Sequence, residues 1–229
     1  MQDLSLPSST RRRLHHRNHA RLAIAFLALA LPAALLAGKS FVKPVAKPAF
    51  NYPAHDLHRD EKVSIAADPY DDPAKAKIFT INFAEHGFLP IFFIVTNDGE
   101  QPVSIANMQV KLITGNRSKL TPIEASDLYR RLSNPQAKTG TNNPLPFPRK
   151  VKGGVTKAQM DEIDQSQFAA RAVEPHTTQS GFLYFDVAGL NSPLRDAIID
   201  IDGVNDARGN ELLFFEISMD NYLSAPANP

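Results

Sequence analysis

The chain has 229 residues, with 25 Lys and Arg against 24 Asp and Glu, 18 Pro, 11 Gly, and neither Cys nor Trp. Those counts exclude a disulfide-stapled mini-protein, a thiolate zinc site and a cysteine nucleophile. They permit one globular domain of ordinary size with additional segments.

The charge is not spread evenly. Arg11, Arg12, Arg13, Arg17 and Arg21 face a single acid, Asp3, before the uncharged run Leu22 to Ala37. As a helix this run reaches about 24 Å, short of the ~30 Å hydrocarbon core, and it suits a signal-peptide core or a short anchor. With the basic flank ahead of it, the N-terminus stays cytoplasmic and the remainder is exported, to the periplasm or to the periplasmic face of the inner membrane. Thr10-Arg11-Arg12-Arg13-Leu14 loosely resembles a twin-arginine signal, and Lys39 after Gly38 excludes lipoprotein processing. Removing the leader's net +4 leaves −3 for the chain from Gly38, which argues against a nucleic-acid partner.

Residues 38–60 carry Lys39, Lys43, Lys47, Pro44, Pro48 and Pro53 without periodicity, which predicts an extended tether. From Glu61 to about residue 220, short Val, Ile and Phe runs at period two alternate with Pro, Gly, Asn and Asp. Strands are expected at 63–67, 78–83, 88–96, 103–105, 108–113, 120–123, 181–187, 197–204 and 211–217. Phe88 to Thr96 is apolar on both faces, the mark of a central strand covered from both sides or at a subunit contact, with Pro90 at its start or at a bulge. Asp98-Gly99 predicts a turn that uses glycine's positive φ. Between these strands, 126–171 reads as an insertion: a helix capped by Ser126, an irregular loop, then a helix opened by Thr156. Residues 221–229 read as a flexible tail. The pattern predicts a mostly β protein, an antiparallel immunoglobulin-like sandwich of seven or eight strands behind a hydrophobic export helix.

Val95-Thr96-Asn97-Asp98-Gly99-Glu100-Gln101-Pro102-Val103 and Glu174-Pro175-His176-Thr177-Thr178-Gln179-Ser180-Gly181-Phe182-Leu183-Tyr184-Phe185 resemble elements of the telokin-like, immunoglobulin-like extracellular domains of bacterial envelope proteins. The resemblance spans roughly Ile78 to Ile217. It implies a fold and an exported location and supplies no catalytic residues. The insertion at 126–171 and the entry His86-Gly87-Phe88-Leu89-Pro90 depart from it. That entry and Pro175-His176-Thr177-Thr178 are also similar to segments of uncharacterised exported bacterial proteins.

Few residues carry the pattern of a reactive site. No G-x-S-x-G elbow, Walker loop or dinucleotide glycine motif is present. Asp200, Asp202, Asp206 and Glu211 offer oxygens for calcium, but Gly203 falls at the fourth loop position where an EF-hand needs it at the sixth, and a plain strand and hairpin loop accounts for them equally. His55-x-x-His58 lies in the expected tether. His86 and His176 each precede a strand and are read as structural or solvated; were they to meet at one end of the sandwich, they could form with the acidic turn Asp200 to Asp206 a metal-dependent or hydrolytic site. No other cofactor is indicated. The loop Asn142 to Gly154 presents Phe147 among prolines with Arg149, Lys150 and Lys152, a candidate contact for an envelope partner or an anionic surface. The expectation is a non-enzymatic exported binding or structural module.

Overall fold

The computed structural model describes residues 41–134 and 154–226. The leader residues Arg11, Arg12, Arg13, Arg21, Leu22 and Ala37, and the loop residues Phe147, Arg149, Lys150 and Lys152, lie outside the described residues. Among the described residues no helix is long and apolar enough to cross a membrane.

The described residues are mostly β, with ten strands in antiparallel sheets and few helices. The strands are β1 (His55–His58), β2 (Val63–Pro69), β3 (Phe88–Asn97), β4 (Val103–Ser104), β5 (Gln109–Ile113), β6 (Lys119–Leu120), β7 (Ala172–Val173), β8 (Thr177–Asp186), β9 (Ile198–Asp202) and β10 (Phe215–Ser218). One four-stranded sheet runs β1-β2-β3-β8, a second runs β10-β9-β5-β6, and β4 pairs with β7. Inward residues of both large sheets, including Ile65, Ile91, Phe93, Leu112, Ile199, Ile201, Phe215 and Ile217, form one buried cluster. The opposite face of the first sheet, with Phe92, Ile94, Phe182 and Tyr184, forms a second cluster under helices α1 (Ala125–Ser133) and α2 (Lys157–Ser166), which contribute Leu128, Leu132 and Ile163. Every residue of β3 is therefore buried, as its two apolar faces require. Pro90 occupies the point where β2 ends: its carbonyl accepts the Tyr70 N–H at 2.9 Å, and only the return bond is lost.

Several expectations are corrected. Residues 78–83 form no strand; Phe79, Ile81 and Phe83 alternate because one side of an irregular segment is buried over the second cluster, not because a ladder exists. The expected tether over 38–60 is folded in its second half, where Ala49 and Ala54 are fully buried and β1 pairs with β2. Gly99 does not take positive φ; it admits the Asn97 side chain, whose Oδ1 accepts the Gly99 N–H at 2.9 Å and would sit 3.0 Å from an added Cβ. Helix α1 starts after Glu124, with no side-chain cap, so Ser126 is inside it. Thr156 does cap α2, in a reciprocal capping box with Gln159. The supposed tail begins with helix α3 (Asp220–Leu223), which Tyr222 fastens to Asp71.

Candidate functional site

The connection from β2 to β3 builds an apolar cleft. Its first turn is closed by Asp72, whose Oδ1 accepts the Ala74 N–H at 2.8 Å while its carbonyl accepts the Ala76 N–H. Lys75 then folds back over the strand end. Its ammonium donates to Asp68 and to the Pro69 carbonyl (2.7 Å) and stands 4.6 Å from the Tyr70 ring centre and 5.2 Å from that of Tyr222. Further along, both oxygens of the buried Glu162 carboxylate accept the Thr80 N–H, at 3.0 and 3.1 Å, and the Thr80 hydroxyl donates to it as well. Gly87, at φ +75°, ends the connection; a Cβ there would lie 2.7 Å from that of Ala188.

Between these fixed points lies a cleft of about 510 Å³, walled by Tyr70, Phe79, Phe83 and Pro90 and edged by Asp71 and Glu85. Its rings are set by mutual edge contacts, with Tyr70 to Phe79 at 5.9 Å and Phe79 to Phe83 at 5.1 Å; Tyr70 and Phe79 rest on Phe182 of β8 and Phe83 on Tyr184. Phe41, ahead of β1, stacks on Phe79 at 5.6 Å.

Several polar groups beside the cleft are engaged by neighbours within the chain. Burial first, then the charge of Asp68, pushes the Tyr70 hydroxyl well above the ordinary phenol range. Burial and the hydrogen bond to Asp71, 2.6 Å long, do the same for Tyr222. Burial also raises the Asp68 carboxyl, against the lowering pull of Lys75. The tyrosines thus remain protonated donors, and the acids beside them are already engaged by Lys75 and Tyr222. Ser166 and Tyr184 share a 2.6 Å hydrogen bond, but both are fully or almost fully buried, so no substrate reaches them. Aromatic walls with a few oriented polar groups are the usual lining of small-molecule and peptide clefts.

The residues singled out from sequence fall elsewhere. His86 and His176 are at opposite ends of one ladder, because β3 and β8 run antiparallel with Phe88 opposite Asp186 and Asn97 opposite Thr177. Nine residue steps separate those ends, about 30 Å, so the two histidines do not meet and the alternative site that needed them together is not formed. His176 instead faces Glu100 at 3.2 Å. Asp200 and Asp202 lie on β9 flanking Lys111 of β5, which pairs with Asp202 at 2.8 Å. Asp206 accepts the Arg208 and Asn210 N–H groups, and Glu211 accepts the Gly203 N–H at 2.9 Å. Among the described residues no three His, Asp or Glu side chains gather as a metal group. His55 and His58 belong to β1, where His58 stacks on Phe215 at 3.8 Å. The cleft itself escaped sequence reasoning; the aromatic spacing Phe79, Ile81, Phe83 was its one visible signal.

No protein-family model matches the chain, and no curated protein shows significant sequence similarity to it.

Proposed function

We propose that the protein is a non-enzymatic binding module, delivered out of the cytoplasm by the leader 1–37, that captures its partner in the aromatic cleft between β2 and β3. The observation that carries this reading is the cleft: about 510 Å³ of aromatic-walled space beside which Lys75 holds Asp68 and Tyr222 holds Asp71. An immunoglobulin-like sandwich is the finer fold reading. The order β2-β3-β8 in one sheet and β10-β9-β5-β6 in the other supports it, corresponding to the A-B-E and G-F-C-C′ strands of such sandwiches, with the 126–171 insertion ahead of β8. Binding through connections held on a rigid sheet scaffold is how this architecture is commonly used.

Ala84 lines the cleft and is exposed, so Ala84→Arg fills the opening without disturbing the core. Wild-type protein is expected to retain a partner from envelope extract that Ala84→Arg loses, at equal melting temperature. Equal capture by both proteins would refute the cleft as the binding site. For export, a reporter active only outside the cytoplasm, fused after residue 60, is expected to be active.

A further inference from the structure

The segment ahead of β1 is a fixed strap with an outward apolar side. Phe41 stacks on Phe79, the Lys43 ammonium donates to the Ser180 carbonyl of β8, and the Ala49 N–H donates to the Thr96 hydroxyl at 2.9 Å. Its small residues turn inward, Ala49 fully buried and Ala46 packed on the second cluster. Phe41 and Tyr52 also pack on that cluster, whereas Val42 is 73%, Val45 94% and Phe50 42% exposed. Lys47 is exposed between them, and its ammonium forms no ion pair among the described residues. Exposed valines on an ordered backbone lose little further freedom on docking, unlike those of a loose tether.

Chain length decides what such a surface meets. Val42 follows the apolar run ending at Ala37 by five residues, a reach of at most about 18 Å. We propose that the strap is a lipid contact: Val42, Val45 and Phe50 enter the interfacial layer of an anionic phospholipid bilayer, and Lys47 lies among its phosphates. This rests on the exported reading above. With the leader retained, the short reach keeps the strap beside the membrane face.

The test uses residues 41–229, which contain every described strand and both buried clusters and form a compact unit. The chain has no Trp, so Val45→Trp supplies a single reporter at an almost fully exposed position. Its emission is expected to shift to the blue with phosphatidylcholine vesicles containing phosphatidylglycerol, and the shift is expected to shrink with added salt. Lys47→Glu, in the same background, is expected to weaken the titration about tenfold or more at low salt. Unshifted emission with the anionic vesicles, or an unaltered titration for Lys47→Glu, would overturn the proposal. The reporter fusion after residue 60 tests export separately, so an active reporter with unshifted emission defeats the lipid contact alone.

Discussion

Glu162 holds the wall of the cleft in place, and its removal is the most informative perturbation of the fold. Glu162 is 4% exposed and forms no ion pair among the described residues; its oxygens accept from the N–H and hydroxyl of Thr80, 82 residues away in sequence. Hydrogen bonds to a charged group contribute about 1.5–3 kcal/mol each, offset here by the cost of burying the charge. Glu162→Ala leaves the Thr80 N–H without its acceptor and a void beside Ile163. A net loss of about 2–3 kcal/mol is therefore expected, lowering the melting temperature by about 5–10 °C for a domain of this size. Glu162→Gln keeps one acceptor oxygen and is expected to lose about half as much. Urea unfolding followed by near-ultraviolet circular dichroism measures both. A cycle with Thr80→Ala is expected to show coupling above about 1 kcal/mol. A Glu162→Ala protein within about 0.5 kcal/mol of wild type would refute the assignment of Glu162 as the anchor of this segment.

Gly181→Ala is expected to cost about 3 kcal/mol or more, because the added Cβ would lie 2.4 Å from the Phe168 Cα where the chain crosses β8; the melting temperature reads it. Thr156→Ala removes the capping box of α2 and is expected to cost about 1 kcal/mol, seen as a lower urea midpoint at unchanged slope. At Asp186, partial burial opposes ionisation, but the hydrogen bonds from Arg131 and the Ala188 N–H and the Arg131 charge together hold its carboxyl below the ordinary value. Its contribution to stability is therefore present above the unfolded carboxylate pKa and lost as pH falls through the lower folded value. Arg131→Gln is expected to flatten that acid limb of the stability curve, and an unchanged limb would count against the pair.

The strands that sequence made legible are those whose two faces differ, or agree, in a simple way. β3 is apolar throughout because both of its faces are buried. β5 and β9 alternate because one face meets the shared cluster and the other meets water. β1 was missed for the opposite reason. Its Asp56 and His58 point towards the second sheet, where Asp56 accepts the Glu216 N–H of β10 at 2.9 Å and His58 covers Phe215. A polar strand that joins the margins of two sheets carries no apolar period. The connection at 78–83 failed differently, since alternation reports one buried side and is silent about whether the backbone has a ladder partner; there the partner is a carboxylate from α2. The cleft depends on contacts such as Tyr222 with Asp71, 151 residues apart, and no local pattern encodes them.

The acidic residues of β9 show how the same letters lose one meaning when their neighbours are known. Asp200, Asp202 and Glu216 stand on the outer face of the second sheet, with Lys111 opposite Asp200 and paired with Asp202. The hydrogen bond to Asp202 raises the Lys111 ammonium's pKa and engages one of the carboxylates a calcium ion would need. Asp206 Oδ1 and Glu211 Oε1 accept backbone N–H groups of their own loop, and Asp206 Oδ2 accepts the Asn210 side-chain amide. Releasing them for a metal would leave those donors without partners. Calcium at a hundredfold excess over a dissociation constant would stabilise the fold by about 2.7 kcal/mol, or about 5–11 °C. The expected result is no shift in melting temperature on adding millimolar calcium or removing it with a chelator. A shift of that size, abolished by Asp202→Asn, would refute the reading of this face as a cross-strand charge ladder and restore it as a metal site.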